Sequence, residues 1–346
     1  MSRQRLTVVL SQAQGKNPAK RALEESIAAA LILEPGLDVS IIPYLYDLGP
    51  DHTGRLFLES VKGDMLVLSW LFPRAAFWLL DRIGVKGLFG ESQLKPPADV
   101  DEEDEQDGEP EPPKGIGAVD VPERHIYCLD LRDFNNHTPY VEEIRRVAAE
   151  CRERREAKLK EWVQGNPTVV QLGRYLRADE PAATPEPPRF APEQLLQQPG
   201  RRWYPVIDYS RCTNCMECID FCLFGVYGVD KEDRILVENQ DNCKRGCPAC
   251  SRVCPEHAIM FPDYKTPAIA GAPVGNITGL KIDLTKLFGG GDALQIAANE
   301  RDHELIRDGR EAVGMTVGIP KRQADKKEVP KDDLDNLMDA LDALDI

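Results

Sequence analysis

The first 165 residues alternate between strand-like apolar runs and segments of helical composition. Asn17 and Pro18 supply an N-cap and a first helical residue for one helix, and Pro73 can begin another. Strands are predicted at Leu6–Ser11, 38–44, 64–71 and 125–131, and helices at 19–33, 53–61, 74–83 and 139–163. Strands separated by helices indicate a parallel sheet covered on both faces. The pattern predicts an α/β three-layer domain over residues 1–165, of Rossmann-like or flavodoxin-like type.

Polar segments interrupt this pattern and continue beyond it. Between Asp99 and Glu111, the segment 96–115 carries nine acids and no base. It has too little apolar surface to offset the entropy of ordering, so we expect a disordered insertion. Residues 166–200, rich in Pro, Ala, Glu and Gln, are predicted to be a linker. The remaining predicted units are a cysteine-rich domain at 201–263, an irregular wrap and helix at 264–318, and a tether at 319–330.

Residues 331–346 form one more amphipathic pattern, with an apolar stripe at helical spacing opposite a face of aspartates. The stripe consists of Leu334, Leu337, Met338, Leu341 and Leu344. Such a helix can fold back on its own protein or dock into a groove of a partner. Both interpretations stay open, and the charged tether before it slightly favours docking to a redox partner.

The net charge of -15, from 58 acids and 43 bases, argues against a nucleic-acid binder and against adsorption to anionic lipid. This charge is concentrated in two segments of the chain. The insertion's nine acids, together with six aspartates against one lysine in 331–346, account for all but one unit of it. The predicted folded domains are therefore nearly neutral, and the acidity belongs to two segments.

No apolar run is long enough to predict a membrane-spanning helix, because Pro73 and Arg74 interrupt the longest one, Met65 to Leu80. The apolar run near the start of the sequence is too short for a secretory signal. We therefore expect a cytoplasmic protein, in which clustered cysteines indicate metal ligands rather than disulfides.

Eight of the ten cysteines fall into two runs. A C-x2-C-x2-C loop lets three thiolates hold one iron–sulfur cubane, and the fourth cysteine of the run turns away toward the other cubane. This spacing predicts two cross-ligated [4Fe–4S] clusters. Cluster I would take Cys212, Cys215, Cys218 and Cys254, and cluster II would take Cys243, Cys247, Cys250 and Cys222.

These runs resemble the bacterial-type two-cluster ferredoxins over about residues 206–263. The segments 206–208 and 236–238 look like the paired strands of that family, and the residues after Cys222 echo those after Cys254. The resemblance implies a small β-α-β fold with pseudo-twofold symmetry and one-electron transfer at low potential. The second run departs by one residue, since Lys244, Arg245 and Gly246 separate its first two cysteines. Gly246 can absorb the extra length, and the two cations can raise the potential of cluster II.

Two other interpretations of the cysteines are weaker. Zinc sites use four ligands per ion and do not need C-x2-C-x2-C triplets. A disulfide framework needs an oxidising compartment, which the sequence does not indicate. Cys128 and Cys151 lie outside the two runs and are expected to be ordinary buried or incidental thiols.

The α/β domain offers a possible cofactor loop, because ligands of open parallel sheets bind beyond the carboxyl ends of the strands. Ser11, Gly15 and Lys16 could hold an anion or a flavin phosphate, with Trp70 and Arg74 at the same edge. The loop matches neither the dinucleotide fingerprint nor the P-loop. The alternative, which the sequence favours, is that Trp70 and its aromatic neighbours belong to the core or a domain interface.

Three functions are compatible with these patterns. The first is an electron-transfer protein or subunit that passes single electrons through two clusters to a redox partner. The second is an oxidoreductase whose α/β domain holds a flavin or small substrate beside a cluster. The third is an adaptor with structural clusters. Because no nucleophile–base pair or acid pair has usable spacing, an electron carrier is favoured over a stand-alone enzyme.

Overall fold

The computed structural model describes residues 5–94, 115–163, 198–272 and 293–319. The acidic part of the insertion, nearly all of the linker, residues 273–292 of the predicted wrap, the tether beyond Ile319 and the amphipathic segment 331–346 lie outside the described residues. The predictions for those segments therefore stay predictions.

The N-terminal region is a five-stranded parallel sheet with the strand order β2-β1-β3-β5-β4. The predicted parallel α/β architecture is confirmed. The strands are β1 Leu6–Ser11, β2 Leu37–Ile42, β3 Met65–Ser69, β4 Leu88–Gly90 and β5 His125–Asp130. The helices are α1 Pro18–Leu31, α2 Thr53–Ser60, α3 Pro73–Arg82 and α4 Thr138–Val163.

Alternate residues of the central strands enter two separate cores, one on each face of the sheet. Val9 and Val67 pack in the core that contains the side chains of α3. Val8 and Leu66 pack in the opposite core with the side chains of α1 and α4. Because both faces of the sheet are apolar, each face is covered by a layer of helices.

The predicted helix starts are present. Asn17 precedes α1, and its Oδ1 accepts hydrogen bonds from the backbone N–H groups of Ala19 and Lys20. Pro18 is the first residue of α1 and Pro73 the first of α3. The edge strand β4 was not predicted from the sequence, because three residues carry no periodic signal and two of them, Leu88 and Phe89, are exposed.

The cysteine-rich region contains two short antiparallel strand pairs and two short helices. The first pair is β6 Val206–Ile207 with β9 Ile259–Met260, and the second is β7 Tyr227–Val229 with β8 Ile235–Val237. The helices are α5 Glu217–Phe221 and α6 Ala249–Val253, followed by α7 Pro267–Ala270 and α8 Ala293–Arg307. The strand before the first cysteine run, β6, thus pairs with the strand after the second run, β9, and this pairing joins the two halves of the region.

The cysteine-rich region packs directly on the α/β domain. Tyr204, Val206 and Met260 belong to the same apolar core as the side chains of α3. The ring of Tyr204 lies 4.6 Å from that of Tyr46, whose hydroxyl donates to the Tyr204 carbonyl at 2.5 Å and accepts from its N–H at 2.8 Å. The two regions therefore share a continuous interior.

Over the ranges that the structure describes, no helix combines the length and the apolarity needed to cross a bilayer.

Candidate metal centres

The first cysteine run winds through a tight loop before α5. The N–H of Cys212 donates to the carbonyl of Asp208 at 2.9 Å, and Asn214 and Met216 have φ values of 58° and 64°. α5 carries Cys218, and Cys222 follows its last residue. Two left-handed residues in this short stretch turn the chain enough to bring its first three cysteines to one side.

Two cavities lie among the cysteines, each lined by four of them. One is lined by Cys212, Cys215, Cys218 and Cys254. The other is lined by Cys222, Cys243, Cys247 and Cys250. We call them cavity I and cavity II. Each takes three cysteines from one run and the fourth from the other, so the structure brings together the two sets grouped from the spacing.

The donor set of these cavities suits a multi-iron cluster. In the part of the chain that the structure describes, no three His, Cys, Asp or Glu side chains converge on a single-ion position. Four cysteines instead surround each of two cavities, and a cubane held at its corners by four thiolates needs this arrangement.

Burial raises the pKa of several cavity thiols, and nearby cysteines add to the effect. Desolvation is the main cause for Cys218 and Cys250, and the neighbouring cysteines add to it. The pKa of Cys247 rises to about 12 for the same first reason. Because a metal binds the thiolate, loading these cavities must release protons and supply positive charge in their place.

Hydrogen-bond donors point at several of the sulfurs. The N–H of Ala258 donates to Cys254 Sγ at 3.3 Å, and the hydroxyl of Tyr227 donates to Cys250 Sγ at 3.0 Å. Backbone N–H groups of Phe224 and Val226 also lower the pKa of Cys222 against the larger effect of its burial. Donors of this kind stabilise negative charge on cluster sulfur ligands.

The longer loop of the second run has the geometry that its sequence allows. Gly246 has φ of 89°, a conformation that glycine adopts without strain. Lys244 borders cavity II and forms an ion pair with Asp308 at 2.5 Å. The extra residue therefore leaves the first three cysteines of the second run on cavity II.

A segment of the α/β domain is docked on the first cysteine loop, which the sequence did not predict. The N–H of Gly115 donates to the carbonyl of Ser210 at 2.9 Å, and that of Ile116 to the carbonyl of Cys212 at 2.8 Å. A Cβ at Gly115 would lie 2.3 Å from backbone atoms of Ser210 and Tyr209. Gly115 was assigned to the end of the disordered insertion, yet it is held here by a close backbone approach that requires glycine.

The predicted anion loop of the α/β domain divides into buried and exposed parts. Ser11 is fully buried, and its hydroxyl donates to the Pro43 carbonyl at 3.2 Å and accepts from the Leu45 N–H at 2.9 Å. Gly15, with φ of 76°, and Lys16 are exposed. The structure does not bring the Ser11 hydroxyl to the loop surface with Lys16, and a cofactor at this edge stays a prediction.

Trp70 and Arg74 have protein partners of their own. Trp70 Nε1 donates to Glu24 at 2.8 Å, and the ammonium of Lys20 lies 4.2 Å from the Trp70 ring centroid. Arg74 donates to the Asp208 carboxylate at 2.5 Å and to the His257 carbonyl at 2.6 Å. Arg74 thus links the start of α3 to the loops that flank cavity I.

Asp133, just beyond β5, gives the sheet edge a pH dependence. Burial raises its pKa to about 6, with Asp130 adding repulsion and Arg132 opposing it. Because the folded state favours the protonated form of Asp133, its contribution to stability is fully present below about pH 4 and is lost as the pH rises through about 6. Above that pH, folding must bury the charged carboxylate. We expect Asp133→Asn to unfold at a higher temperature than the wild type at pH 7.5, with a smaller difference at pH 5. Thermal unfolding across this range checks it, and a pH-independent difference would contradict it.

Comparison with curated proteins finds relatives of the cysteine-rich region. The chain is 48% identical over 81 residues to an uncharacterized ferredoxin of Methanocaldococcus jannaschii, covering 22% of this chain and 54% of that protein. It is 41% identical over 61 residues to the pyruvate synthase subunit PorD of Methanothermobacter marburgensis, covering 18% and 68%. The PorD subunit of M. jannaschii is 34% identical over 59 residues, covering 17% and 66%.

The chain thus spans about half of the M. jannaschii ferredoxin and about two thirds of each PorD subunit. No protein-family model matches the chain. No solved structure matches it either. The relatives correspond to the segment that carries the two cysteine runs, and the α/β domain stays unrecognised. Through about residues 206–263, the chain belongs to the bacterial-type two-cluster ferredoxin family.

Proposed function

We propose that this protein is an electron-transfer subunit or carrier that binds two [4Fe–4S] clusters, one in each four-cysteine cavity. The observation that carries the proposal is the grouping of the cysteines, with each cavity drawing three from one run and one from the other. The ligands of cluster I are Cys212, Cys215, Cys218 and Cys254, and those of cluster II are Cys243, Cys247, Cys250 and Cys222. When bound, such clusters accept and donate single electrons.

The chain's own residues hold and insulate the clusters. Cavity I has apolar walls from Ile207, Ile235 and Ile259, and cavity II from Phe221 and Val226. These walls keep water away from the sulfurs, while the N–H and hydroxyl donors stabilise the negative charge that reduction adds. Cys215 is exposed, so cavity I has an edge at which a partner can approach.

The partner is proposed to be a larger oxidoreductase. Two of the relatives are subunits of pyruvate synthase, which supports a role as the electron-transferring part of an enzyme complex. The α/β domain shares its interior with the cysteine-rich region and would therefore be part of the same complex. Residues 331–346 would add a tethered docking helix.

Anaerobic photoreduction followed by mixing with cytochrome c tests this function. We expect the reduced holoprotein to transfer electrons to cytochrome c stoichiometrically, and its optical spectrum to contain cluster absorption without a flavin band. Clusters that cannot be reduced reversibly would favour the adaptor interpretation, and a flavin band would favour the enzyme. Either outcome would contradict the proposal of a simple electron carrier.

A further inference from the structure

An arginine occupies the packed face of α8. Leu294, Ala297, Ala298 and Leu305 are buried at helical spacing, and Arg301 takes the position between them where an apolar residue is expected. The side chain is 2% exposed. This face packs on α6, the helix that carries Cys250. A charged group is therefore buried at the interface between α8 and the cysteine-rich region.

Neutral groups orient most of this guanidinium. It donates to the carbonyls of Gly314 at 2.6 Å and Val317 at 2.9 Å, and Asp302 accepts from Nε at 3.1 Å. Its Cζ lies 4.6 Å from the centroid of the Phe221 ring. One carboxylate at one edge leaves much of the cation without a charged partner, which is costly for a buried group.

A short C-terminal loop holds the arginine in place. Gly318 has φ of 69°, and a Cβ there would lie 2.7 Å from the Asp220 carbonyl and 3.1 Å from Arg301 Nη1. The loop thus approaches both α5 and the guanidinium too closely for a side chain. Its carbonyls fix the cation against Phe221, one residue before Cys222.

Arg301 borders cavity II, and no described residue that lines cavity I is its equivalent. The lining of cavity II includes Arg301 and Lys244. Among the described residues that line cavity I, the charged side chain is Glu256 and there is no Lys or Arg. The two otherwise similar cysteine cavities therefore differ in the sign of the charge beside them.

Two glutamates on α8 oppose this effect only weakly. Glu300 is paired with Arg252 at 2.9 Å, and Glu304 with Arg307 at 2.9 Å. Lys244 is likewise paired with Asp308 and about one-third exposed. Glu300 and Lys244 are partly exposed and screened by solvent, and Glu304 is 12% exposed but neutralised by its arginine. Neither glutamate lines cavity II, whereas the guanidinium of Arg301 does, although Asp302 at its Nε offsets part of its charge. Among the described residues that line cavity II, Arg301 is therefore the least screened cation.

We propose that Arg301 raises the reduction potential of the site in cavity II above that of cavity I, and so makes cavity II the preferred electron acceptor of the pair. This inference rests on the proposed two-cluster function. Reduction adds one negative charge to a cluster whose thiolate ligands are already negative, and the fixed guanidinium stabilises that added charge.

An EPR-monitored redox titration of the holoprotein tests the role of Arg301. For the wild type, we expect the first electron to reside mainly in cavity II. Arg301→Gln should change the partition toward cavity I by about tenfold, equivalent to about 59 mV for one electron, while Arg301→Lys should restore most of it. Arg145→Gln, on α4 with a 55% exposed side chain, is the charge-matched control and should change the partition less than twofold.

A purely structural clamp would give a different result. Arg301→Gln and Arg301→Lys would then both weaken thermal stability, with the partition unchanged, and this result would overturn the inference. If Arg301→Gln fails to bind clusters, Asp302→Asn provides the second variant. Removing that carboxylate should increase the preference for cavity II, and no increase would also overturn the inference. Absence of two clusters from the wild type would instead contradict the proposed function.

Discussion

Replacing Cys254 by serine should abolish the cluster held by the first cysteine run and leave the other intact. Cys254 lies in the second run, yet it lines cavity I with Cys212, Cys215 and Cys218. A serine hydroxyl is a poorer iron ligand than a thiolate, so one cubane loses a corner. We expect the iron content to fall by about half, from about eight to about four.

The reciprocal variant should damage the other cluster. Cys222 is the last cysteine of the first run but lines cavity II with Cys243, Cys247 and Cys250. In Cys222→Ser we expect the surviving EPR signal to have the potential that the wild type shows for cavity I. The two variants therefore differ in which signal survives, although each loses about half of the iron.

A thiol outside the cavities provides the control. Cys151 lies on α4 with its side chain buried in the core and is predicted to have no part in either cluster, so Cys151→Ala should retain full iron content. If Cys254→Ser instead removed the cluster of the second run, ligation would be local to each run. That outcome would contradict the cross-ligated geometry.

Replacing Arg74 by methionine should weaken the contact between the α/β domain and the region around cavity I. The Asp208 carboxylate is 2% exposed, and Arg74 is 2.5 Å from it. Removing one partner of a buried pair leaves an uncompensated charge and costs about 3–5 kcal/mol. For a protein of this size, that loss lowers the unfolding temperature on the order of 10 °C.

Asp208 connects this pair to the first cysteine loop. Its carbonyl accepts from the Cys212 N–H, and its carboxylate also accepts from the N–H and hydroxyl of Ser210. Arg74→Met should therefore accelerate loss of the cavity I cluster on exposure to air, more than loss of the cavity II cluster. EPR signal decay measures both rates in one sample.

Arg55→Met is the matched control for this variant. Arg55 pairs with Glu59 within α2 at 2.8 Å, and both side chains are partly exposed. Exposed pairs of this kind contribute about 0.2–1 kcal/mol. Equal effects of Arg55→Met and Arg74→Met on the unfolding temperature would show that the Arg74 contact does not couple the two regions.

Strong local patterns predicted most of the α/β fold. The strands and caps of the first three β-α units follow from apolar runs and from Asn17, Pro18 and Pro73, since each signal lies within a few neighbouring residues. The short edge strand β4 was not predicted, because it is stabilised by pairing with β5, a partner distant in the sequence. Local sequence cannot encode such pairing.

In the candidate site too, local sequence predicted some features and missed those that depend on distant segments. The spacing of the cysteines predicted the sets that the cavities bring together, because ligands of one loop must be close in sequence. Arg301 and Gly115 were missed, since each reaches its cavity or cysteine loop through tertiary packing of a distant segment. Arg301 did leave one signal, a charged residue on the apolar stripe of α8.

The presence of two [4Fe–4S] clusters is tested most directly by determination of iron, acid-labile sulfide and zinc in the anaerobically purified full chain, with EPR of the reduced protein. We expect about eight irons and about eight sulfides per chain, and the broadened signal of two interacting [4Fe–4S] clusters after full reduction. Stoichiometric zinc without sulfide, or about four irons with a single isolated signal, would contradict this expectation.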